Sequence, residues 1–290
     1  MCFPSPASRF PLPASPTLRG EFIDISGARL YYYAAGTRGA GEPVVLIHGF
    51  PTSGHLWADM ATMLPYGHRI VVLDLLGYGR SDPPAGRALG VDAHADRVVA
   101  LFDALSIREA CIVGHGLGGG VAQSLAVRFP TRVSRLCLIN SVAFDAWPSH
   151  TLRTWRRLHA LVQISPPSWI QSVLRTSLQR GYADVDRGLH SLEQYARAFG
   201  SPEGRSTFVQ HVRALECSET RSLGTRLGEI TAPTAIVWGR LDPFLPLSLG
   251  ERLRAAIPHA TLDVVPSAAH FTPEDTPAVV SAVVAQLLTR

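Results

Sequence analysis

Six short, largely apolar runs recur along the chain, and they constrain its fold more than any other feature. They span residues 44–47, 70–73, 111–113, 136–139, 234–238 and 262–265. Apart from Thr234 and Asp263, their residues are continuously apolar rather than alternating, which is typical of strands buried on both faces of a parallel sheet. Segments with helical spacing separate these runs, such as Val98, Leu101, Phe102 and Leu105. The pattern predicts a mostly parallel, doubly wound α/β sheet with right-handed crossovers.

Two β-prone runs and a proline-rich segment precede this pattern. Residues 21–25 and 28–34 are joined by Ser26 and Gly27, which predicts a hairpin. Residues 1–20 are rich in proline, serine and alanine and have no periodicity, so we expect a mobile leader there. Because the leader lacks a long apolar stretch, we do not expect it to be a secretory signal.

Residues 143–228 interrupt the alternation of strands and helices. This stretch has helical patterns and many aromatic residues but no convincing strand. A segment of this length inside a domain needs structure of its own. We therefore predict a helical lid over 143–228, inserted into an α/β core that consists of 21–142 and 229–290.

Composition narrows the class of protein. Of the 290 residues, 46% are hydrophobic and 17% are charged, which is typical of a folded globular chain. No apolar run approaches the roughly 18 residues of a membrane-spanning helix. The four cysteines are too scattered for a disulfide framework or a metal site, and Cys111 and Cys137 lie in apolar runs that predict buried thiols. We expect a cytoplasmic protein that binds neither a membrane nor a metal.

All 27 basic residues are arginines, and the formal net charge is +4. The arginines are dispersed along the chain, so this charge does not indicate a nucleic-acid partner. The densest group, Arg153, Arg156 and Arg157, accompanies Trp155 on one short helical stretch. We interpret this group as a solvated helix face.

Polar and glycine-rich sequences follow most of the predicted strands. Ligand sites of open α/β sheets lie at the carboxyl ends of the strands, which makes these sequences candidates for a functional site. In chain order they are HGFP at 48–51, DLLGYGRSD at 74–82, GHGLGGG at 114–120, Asp242 after the run 234–238, and His270 after the run 262–265.

The order of these motifs resembles the α/β-hydrolase family, and the resemblance extends from about residue 20 to the C-terminus. HGFP at 48–51 and GHGLGGGVAQSLAVRFP at 114–130 are most similar to the epoxide hydrolase and haloalkane dehalogenase branch, whose elbow nucleophile is aspartate. Serine-type ester hydrolases are the alternative branch. The family needs no cofactor, and GHGLGGG is too late in the chain to be a dinucleotide-binding loop, so we expect none.

The resemblance implies roles for several residues. His270 has the position of the general base, and Asp242 has the position of the acid that orients it. The backbone N–H groups of Phe50 and Leu117 have the positions of an oxyanion hole. Some relatives place the acid where this chain has Asp145, which is the alternative to Asp242.

Gly116 departs from the family pattern. The family elbow reads Gly-x-nucleophile-x-Gly, and Gly114 and Gly118 align with its two glycines. Gly116 therefore occupies the position of the nucleophile, where it offers no side chain. The adjacent His115 cannot replace it, because neighbouring side chains on such a turn point in other directions.

The resemblance implies less about the substrate. Dehalogenase relatives hold the halide with residues at positions that are Phe50 and Leu117 here, which disfavours halide abstraction. Epoxide hydrolases protonate the ring oxygen with two lid tyrosines, so Tyr182 and Tyr195 are candidates, with core aromatic residues as the alternative. For Arg80 we expect a salt bridge with a neighbouring carboxylate, and a position at the rim of the active site is the alternative. We expect an apolar or aromatic small-molecule substrate, whereas the oligomeric state is not predicted. The expected pocket residues are His48, Pro51, His115, Trp147, Tyr182 and Tyr195.

Three hypotheses stay open at this stage. The first is a hydrolase of epoxide, carbon–halogen or ester bonds that lacks its nucleophile, either aspartate or serine, and is impaired in covalent hydrolysis. The second is an enzyme that uses Asp242 and His270 without a nucleophile, by direct water attack, elimination or cyclisation. The third is a non-catalytic protein that binds a ligand under its lid. The presence of both Asp242 and His270 argues against the third.

Overall fold

Eight strands form one sheet in the computed structural model, which describes residues 19–36 and 41–290. The strands are β1 (Arg19–Ile25), β2 (Ala28–Ala35), β3 (Val44–Ile47), β4 (Ile70–Leu73), β5 (Ala110–His115), β6 (Val133–Ile139), β7 (Thr234–Gly239) and β8 (Thr261–Val265). Their order across the sheet is β1-β2-β4-β3-β5-β6-β7-β8. All six apolar runs of the sequence are strands of this sheet.

The pairing of the strands confirms the predicted α/β fold class. Strands β3 to β8 are parallel to one another, whereas β2 is antiparallel to both β1 and β4. The predicted hairpin is β1–β2, and its turn residues Ser26 and Gly27 both have positive φ, as a tight two-residue turn requires. Parallel pairing brings the carboxyl ends of β3 to β8 to one edge of the sheet.

Twelve helices are present in the described part of the chain. They are α1 (Ala58–Thr62), α2 (Val91–Ala104), α3 (Leu117–Arg128), α4 (His150–Arg157), α5 (His159–Ile164), α6 (Pro167–Gln179), α7 (Val185–Arg197), α8 (Pro202–Ala214), α9 (Ser218–Gly224), α10 (Leu247–Ala256), α11 (Thr272–Asp275) and α12 (Pro277–Leu288). None of the helices in the described ranges is long and apolar enough to cross a bilayer.

Both faces of the sheet are buried, which is why the strands read as continuous apolar runs. Val45 and Ile47 of β3 belong to the hydrophobic core that includes α2, α3 and α10. Val44 and Leu46 of the same strand belong to the core on the opposite face, with α1 and α12. Helices on both faces make the sheet doubly wound. Cys111 and Cys137 are buried free thiols between these layers, as predicted.

The six helices α4 to α9 lie between β6 and β7 in the chain, within the predicted lid. They have a small core of their own, which includes Ile170, Phe199, Phe208 and Val212. Phe50, from the turn after β3, packs against this core. The helices of this segment therefore cover the edge of the sheet where β3 ends.

The predicted leader, residues 1–20, lies outside the described residues except at its end. Arg19 and Gly20 belong to β1. Strand β1 therefore begins two residues earlier than the run 21–25 indicated.

Gly118 should tolerate no side chain, because α3 approaches the end of β3 closely. A Cβ at Gly118 would lie 2.2 Å from the Ile47 carbonyl oxygen and 2.5 Å from that of His48. We expect Gly118→Ala to lower the free energy of unfolding by about 1–3 kcal/mol, as overpacking does. Urea denaturation measures this change.

Gly228→Ala is the matched control, since a Cβ at Gly228 meets nothing within 4 Å. Its free energy of unfolding should stay within about 0.5 kcal/mol of the unsubstituted protein. Equal effects of the two substitutions would contradict the close approach of α3 to β3.

Candidate active site

A single residue, Gly116, joins the end of β5 to the start of α3. Its backbone has φ +54° and ψ −119°, a conformation that residues with a side chain rarely adopt. The Gly116 N–H donates to the Ile139 carbonyl at 3.2 Å, and the Gly116 carbonyl accepts from the N–H of Val142 at 3.1 Å. Backbone hydrogen bonds to the end of β6 therefore hold the turn, with no contribution from a side chain at 116.

A side chain at position 116 would point towards His270. A Cβ placed there lies 3.8 Å from His270 Nε2 and 3.5 Å from the Gly49 Cα, and meets nothing closer. At Gly114 and Gly118, in contrast, an added Cβ would come within 2.4 Å and 2.2 Å of backbone oxygens. Of these three motif glycines, only the middle one has room for a side chain, so the turn keeps the geometry of an elbow that presents one.

His270 and Asp242 follow the carboxyl ends of β8 and β7 and form a hydrogen-bonded pair. His270 Nδ1 lies 2.8 Å from Asp242 Oδ2, and the two side chains are only 9% and 1% exposed. Because Nδ1–H donates to the carboxylate, Nε2 of the neutral ring is an acceptor that faces position 116. This is the arrangement of a general base and its orienting carboxylate.

Four donors surround the Asp242 carboxylate. Besides His270, Asn140 Nδ2 donates to Oδ2 at 2.7 Å, and the N–H groups of Phe244 and Leu245 donate to Oδ1 at 2.8 Å and 3.0 Å. Burial opposes ionisation most strongly. The charge and hydrogen bond of His270, together with the two N–H groups, outweigh burial and lower the pKa of Asp242. Asp242 is therefore anionic, and its carboxylate lies against the His270 ring.

Asn140 is a site residue that the sequence pattern did not identify. It follows β6 directly and has φ +40°, in the left-handed region that asparagine tolerates better than most residues. Its Oδ1 accepts from the Gly239 N–H at 3.1 Å and from the Thr272 hydroxyl at 2.8 Å. Asn140 thus joins the ends of β6, β7 and α11 behind Asp242. The rule applied to the other strand ends would have identified it after the run 136–139.

The N–H groups of Phe50 and Leu117 flank the elbow. Leu117 is the first residue of α3, so its N–H has no partner within the helix and points outward at the positive end of the helix dipole. Phe50 follows Gly49, whose Cα faces position 116. Neither N–H donates to another backbone group in the described ranges. Both are therefore free to bind an oxygen atom that develops negative charge beside Gly116.

His48 and His115 were expected in the substrate pocket, but the structure places both rings in the interior. His48 Nδ1 donates to the Gly49 carbonyl at 2.9 Å, and its Nε2 accepts from the Leu75 N–H at 3.0 Å. His115 Nε2 donates to the His270 carbonyl at 2.9 Å. Desolvation lowers the pKa of His48 to about 4 and that of His115 to about 3. These neutral, fully buried rings position the turn after β3 and the loop of His270.

Tyr182 and Tyr195 contact a carboxylate instead of position 116. Both hydroxyls donate to Glu274, that of Tyr195 at 2.9 Å. Both rings belong to the core on the α12 face of the sheet, where Tyr182 packs on Phe271 with ring centroids 4.6 Å apart. The structure therefore corrects the expectation that these tyrosines protonate a substrate, because their protons are committed to Glu274. Both tyrosines are core aromatic residues, which was the alternative.

Glu274 lies in α11, four residues after His270. Burial has the largest effect on it and outweighs hydrogen bonds from Tyr182, Ser191 and Tyr195, which raises the pKa of Glu274 to about 7. The next residue, Asp275, accepts from the N–H groups of Ala269 at 2.8 Å and Ala183 at 3.2 Å. The two carboxylates of α11 thereby join the segment 182–195 to the loop that carries His270.

Pro51 and Arg80 lie together on a cavity of about 240 Å³ between the turn after β3 and α7. Arg80 donates to the Tyr31 hydroxyl at 2.8 Å and stacks over its ring. It forms no salt bridge with any carboxylate of the described residues. The expected salt bridge of Arg80 is therefore wrong, since a neighbouring tyrosine replaces the carboxylate.

Trp147 and Asp145 lie away from His270. Trp147 is buried, and its Nε1 donates to the Thr220 hydroxyl at 2.8 Å. This contact attaches the chain after β6 to α9, so Trp147 is an anchor of the segment rather than a pocket residue. The Asp145 side chain is 58% exposed and pairs with Arg252 at 3.7 Å. Asp145 is therefore not the acid that pairs with the histidine.

Aromatic rings enclose the space around His270 and the elbow. The rings of Phe244 and Phe271 lie 5.1 Å and 5.2 Å from the imidazole of His270. On the side of the elbow, Phe50 lies 6.0 Å from Phe208 of α8. A site lined in this way favours apolar or aromatic groups, with the polar groups of the pair and the elbow as the few fixed contacts.

Comparisons with known proteins agree with the fold. A family model described as alpha/beta hydrolase fold matches residues 42–277. Epoxide hydrolase 4 of Mus musculus is 28% identical over 282 residues, which are 90% of this chain and 77% of that protein. Haloalkane dehalogenase 2 of Mycobacterium bovis is 29% identical over 269 residues, with coverage of 89% and 90%. An alpha/beta hydrolase fold protein from Burkholderia ambifaria has a crystal structure with a TM-score of 0.82, at 26% identity and coverage of 92% and 100%.

Glu274 should make stability depend on pH. Its pKa is about 7 in the folded protein, against an ordinary value of 4.5. The folded chain therefore binds more protons than the unfolded chain between these values, and the free energy of unfolding falls as pH rises through that window. For Glu274→Gln, the loss of stability between pH 5 and pH 8 should be smaller by about 2.5 kcal/mol than in the unsubstituted protein.

Urea denaturation at the two pH values measures this difference. Glu251→Gln, at an exposed position of α10, is the control and should keep the pH dependence of the unsubstituted protein. An unchanged pH dependence in Glu274→Gln would show that this carboxylate does not titrate in the folded state as its burial requires.

Proposed function

Because the chain belongs to the alpha/beta hydrolase fold family, we propose that it has the active-site framework of a small-molecule hydrolase but lacks the covalent nucleophile. One observation carries this proposal. A Cβ at Gly116 would lie 3.8 Å from His270 Nε2 without a close contact, so the elbow, the base and the acid are arranged around a side chain that glycine does not have. Relatives named as an epoxide hydrolase and a haloalkane dehalogenase support epoxides and haloalkanes as substrate classes, and activated esters are the third.

The neighbouring residues define what a side chain at 116 would do. A serine hydroxyl, one bond beyond the Cβ, would lie within hydrogen-bond distance of His270 Nε2, which would remove its proton during attack. An aspartate would attack through its carboxylate, and His270 would then activate the water that hydrolyses the ester intermediate. In both cases Asp242 stabilises the protonated imidazole, and the N–H groups of Phe50 and Leu117 stabilise the oxyanion. With glycine, covalent hydrolysis is impaired or absent.

Direct attack by water is the second candidate, and the state of Asp242 favours it. The Asp242 carboxylate accepts four hydrogen bonds and holds His270 with Nε2 directed at position 116. A base oriented in this way can deprotonate a water molecule next to a bound substrate. Enzymes with a broken triad keep rate enhancements of about 10³–10⁴ over water from binding and the oxyanion hole.

Replacement of Gly116 tests both candidates. Initial rates are measured for the chain as given, Gly116→Ser and Gly116→Asp on styrene-type epoxides, haloalkanes and p-nitrophenyl esters. We expect one replacement to raise the rate on one class by at least about 100-fold, because a positioned nucleophile acts with its base as a unit. Aspartate should act on epoxides or haloalkanes, and serine on esters. Each replacement should cost about 1–2 kcal/mol of stability, because φ is positive at 116.

His270→Ala in each background is the control, and it should abolish the gained activity. A glycine form that is faster than both replacements, and that loses its rate with His270→Ala, would establish water attack instead. Folded replacement variants that are silent on every substrate would contradict the hydrolase framework.

A further inference from the structure

Large exposed apolar side chains are concentrated on one part of the segment between β6 and β7. Leu158, Leu161 and Ile164, spaced three residues apart along α5 and its start, are 46%, 60% and 77% exposed, and Trp169 at the start of α6 is 48% exposed. Val162 of α5 and Trp169 line the same small cleft, so Trp169 adjoins α5. These four exposed residues, on α5 or at its start and at the start of α6, are here termed the lid patch.

Positive charge is concentrated in the stretch of the chain that contains the lid patch. Residues 146–183 contain five arginines and no aspartate or glutamate, a net charge of +5, whereas the whole chain has a net charge of +4. Arg153 and Arg157 of α4, directly before Leu158, are exposed. Within the described ranges they take part in no ion pair, unlike Arg156, which pairs with Glu216, and Arg175, which pairs with Glu193.

The combination of apolar groups and unpaired arginines indicates which class of partner fits the lid patch. A second copy of the chain would bring the same arginines face to face, with no carboxylate on residues 146–183 to pair with them. A polyanion without an apolar phase would leave Leu161, Ile164 and Trp169 in water. An anionic lipid surface accommodates both the apolar side chains and the arginines. Aliphatic and tryptophan side chains enter its interface, while arginines bind headgroups. We propose that the lid patch docks the protein on the surface of anionic bilayers.

This proposal revises the interpretation of the arginine group as a solvated helix face. It also departs from the expectation that the protein binds no membrane, which was based on the absence of a spanning segment. Peripheral docking requires no such segment, because a short amphipathic surface that lies in the plane of the interface is sufficient. The proposal is independent of the chemistry at Gly116.

Vesicle co-sedimentation tests the docking. The full chain is mixed with phosphatidylcholine vesicles that contain either no phosphatidylglycerol or about 30 mol % of it, at about 0.15 M salt. We expect binding to the anionic vesicles and little to the neutral ones. Arg153→Gln with Arg157→Gln should weaken the binding about 30-fold, since each arginine near an anionic leaflet contributes a factor of about five. Leu161→Ser with Ile164→Ser should weaken it at least about tenfold.

Arg254→Gln with Arg290→Gln is the matched control, because it removes the same charge from two exposed positions outside the patch. It should bind the vesicles as the unsubstituted protein does. Absence of binding to anionic vesicles, or equal losses in the two arginine pairs, would overturn the proposal. A dimer in analytical ultracentrifugation that Leu161→Ser with Ile164→Ser dissociates would overturn it in favour of a second copy. Binding to soluble polyglutamate as tight as to vesicles would overturn it in favour of an acidic protein.

Discussion

The close approach of α3 to the end of β3 determines the geometry of the site. Gly118 makes this approach possible, because any Cβ there would lie 2.2 Å from the Ile47 carbonyl oxygen. The contact fixes the first turn of α3, and with it the left-handed backbone of Gly116 and the outward N–H of Leu117. The parallel sheet positions the base, since it brings His270, from the far end of the chain, to the same edge as Gly116. The elbow is therefore a property of the backbone, and it persists without a nucleophilic side chain.

The pKa values of two buried carboxylates near His270 are shifted in opposite directions, and their hydrogen-bond partners explain the difference. Asp242 lies beside His270, whose charge favours the anion, and it accepts hydrogen bonds from two backbone N–H groups. Its anionic form is therefore favoured despite burial. Glu274 receives only hydroxyl donors, which do not offset burial, so it ionises near neutrality. In the proposed mechanism, the first carboxylate supports proton transfer at His270. The second, with Asp275, attaches the segment 182–195 to the histidine loop, so the position of this segment and the position of His270 are mechanically linked through α11.

The sequence predicted the strands well, because burial on both faces of the sheet leaves a continuous run of apolar residues. Loops do not show this pattern. Asp242 and His270 were singled out because they follow such runs, and the fold places them within hydrogen-bond distance of each other. Asn140 also follows such a run but was not singled out, whereas Glu274 was missed because its role depends on which side chains the fold brings to it from distant parts of the chain. His115 was wrongly assigned to the substrate pocket for a related reason. A buried imidazole that donates to a backbone carbonyl and a catalytic imidazole are identical in sequence, and only the packing around the ring distinguishes them.

In the proposed framework, the site is complete except for a side chain at position 116. A crystal structure of Gly116→Ser tests this most directly, independently of any substrate. We expect an unmoved elbow, with the Oγ of the introduced serine within hydrogen-bond distance of His270 Nε2 and the His270–Asp242 hydrogen bond retained at about 2.8 Å. A displaced elbow, or a hydroxyl directed away from His270, would show that the backbone at Gly116 is not built to present a nucleophile.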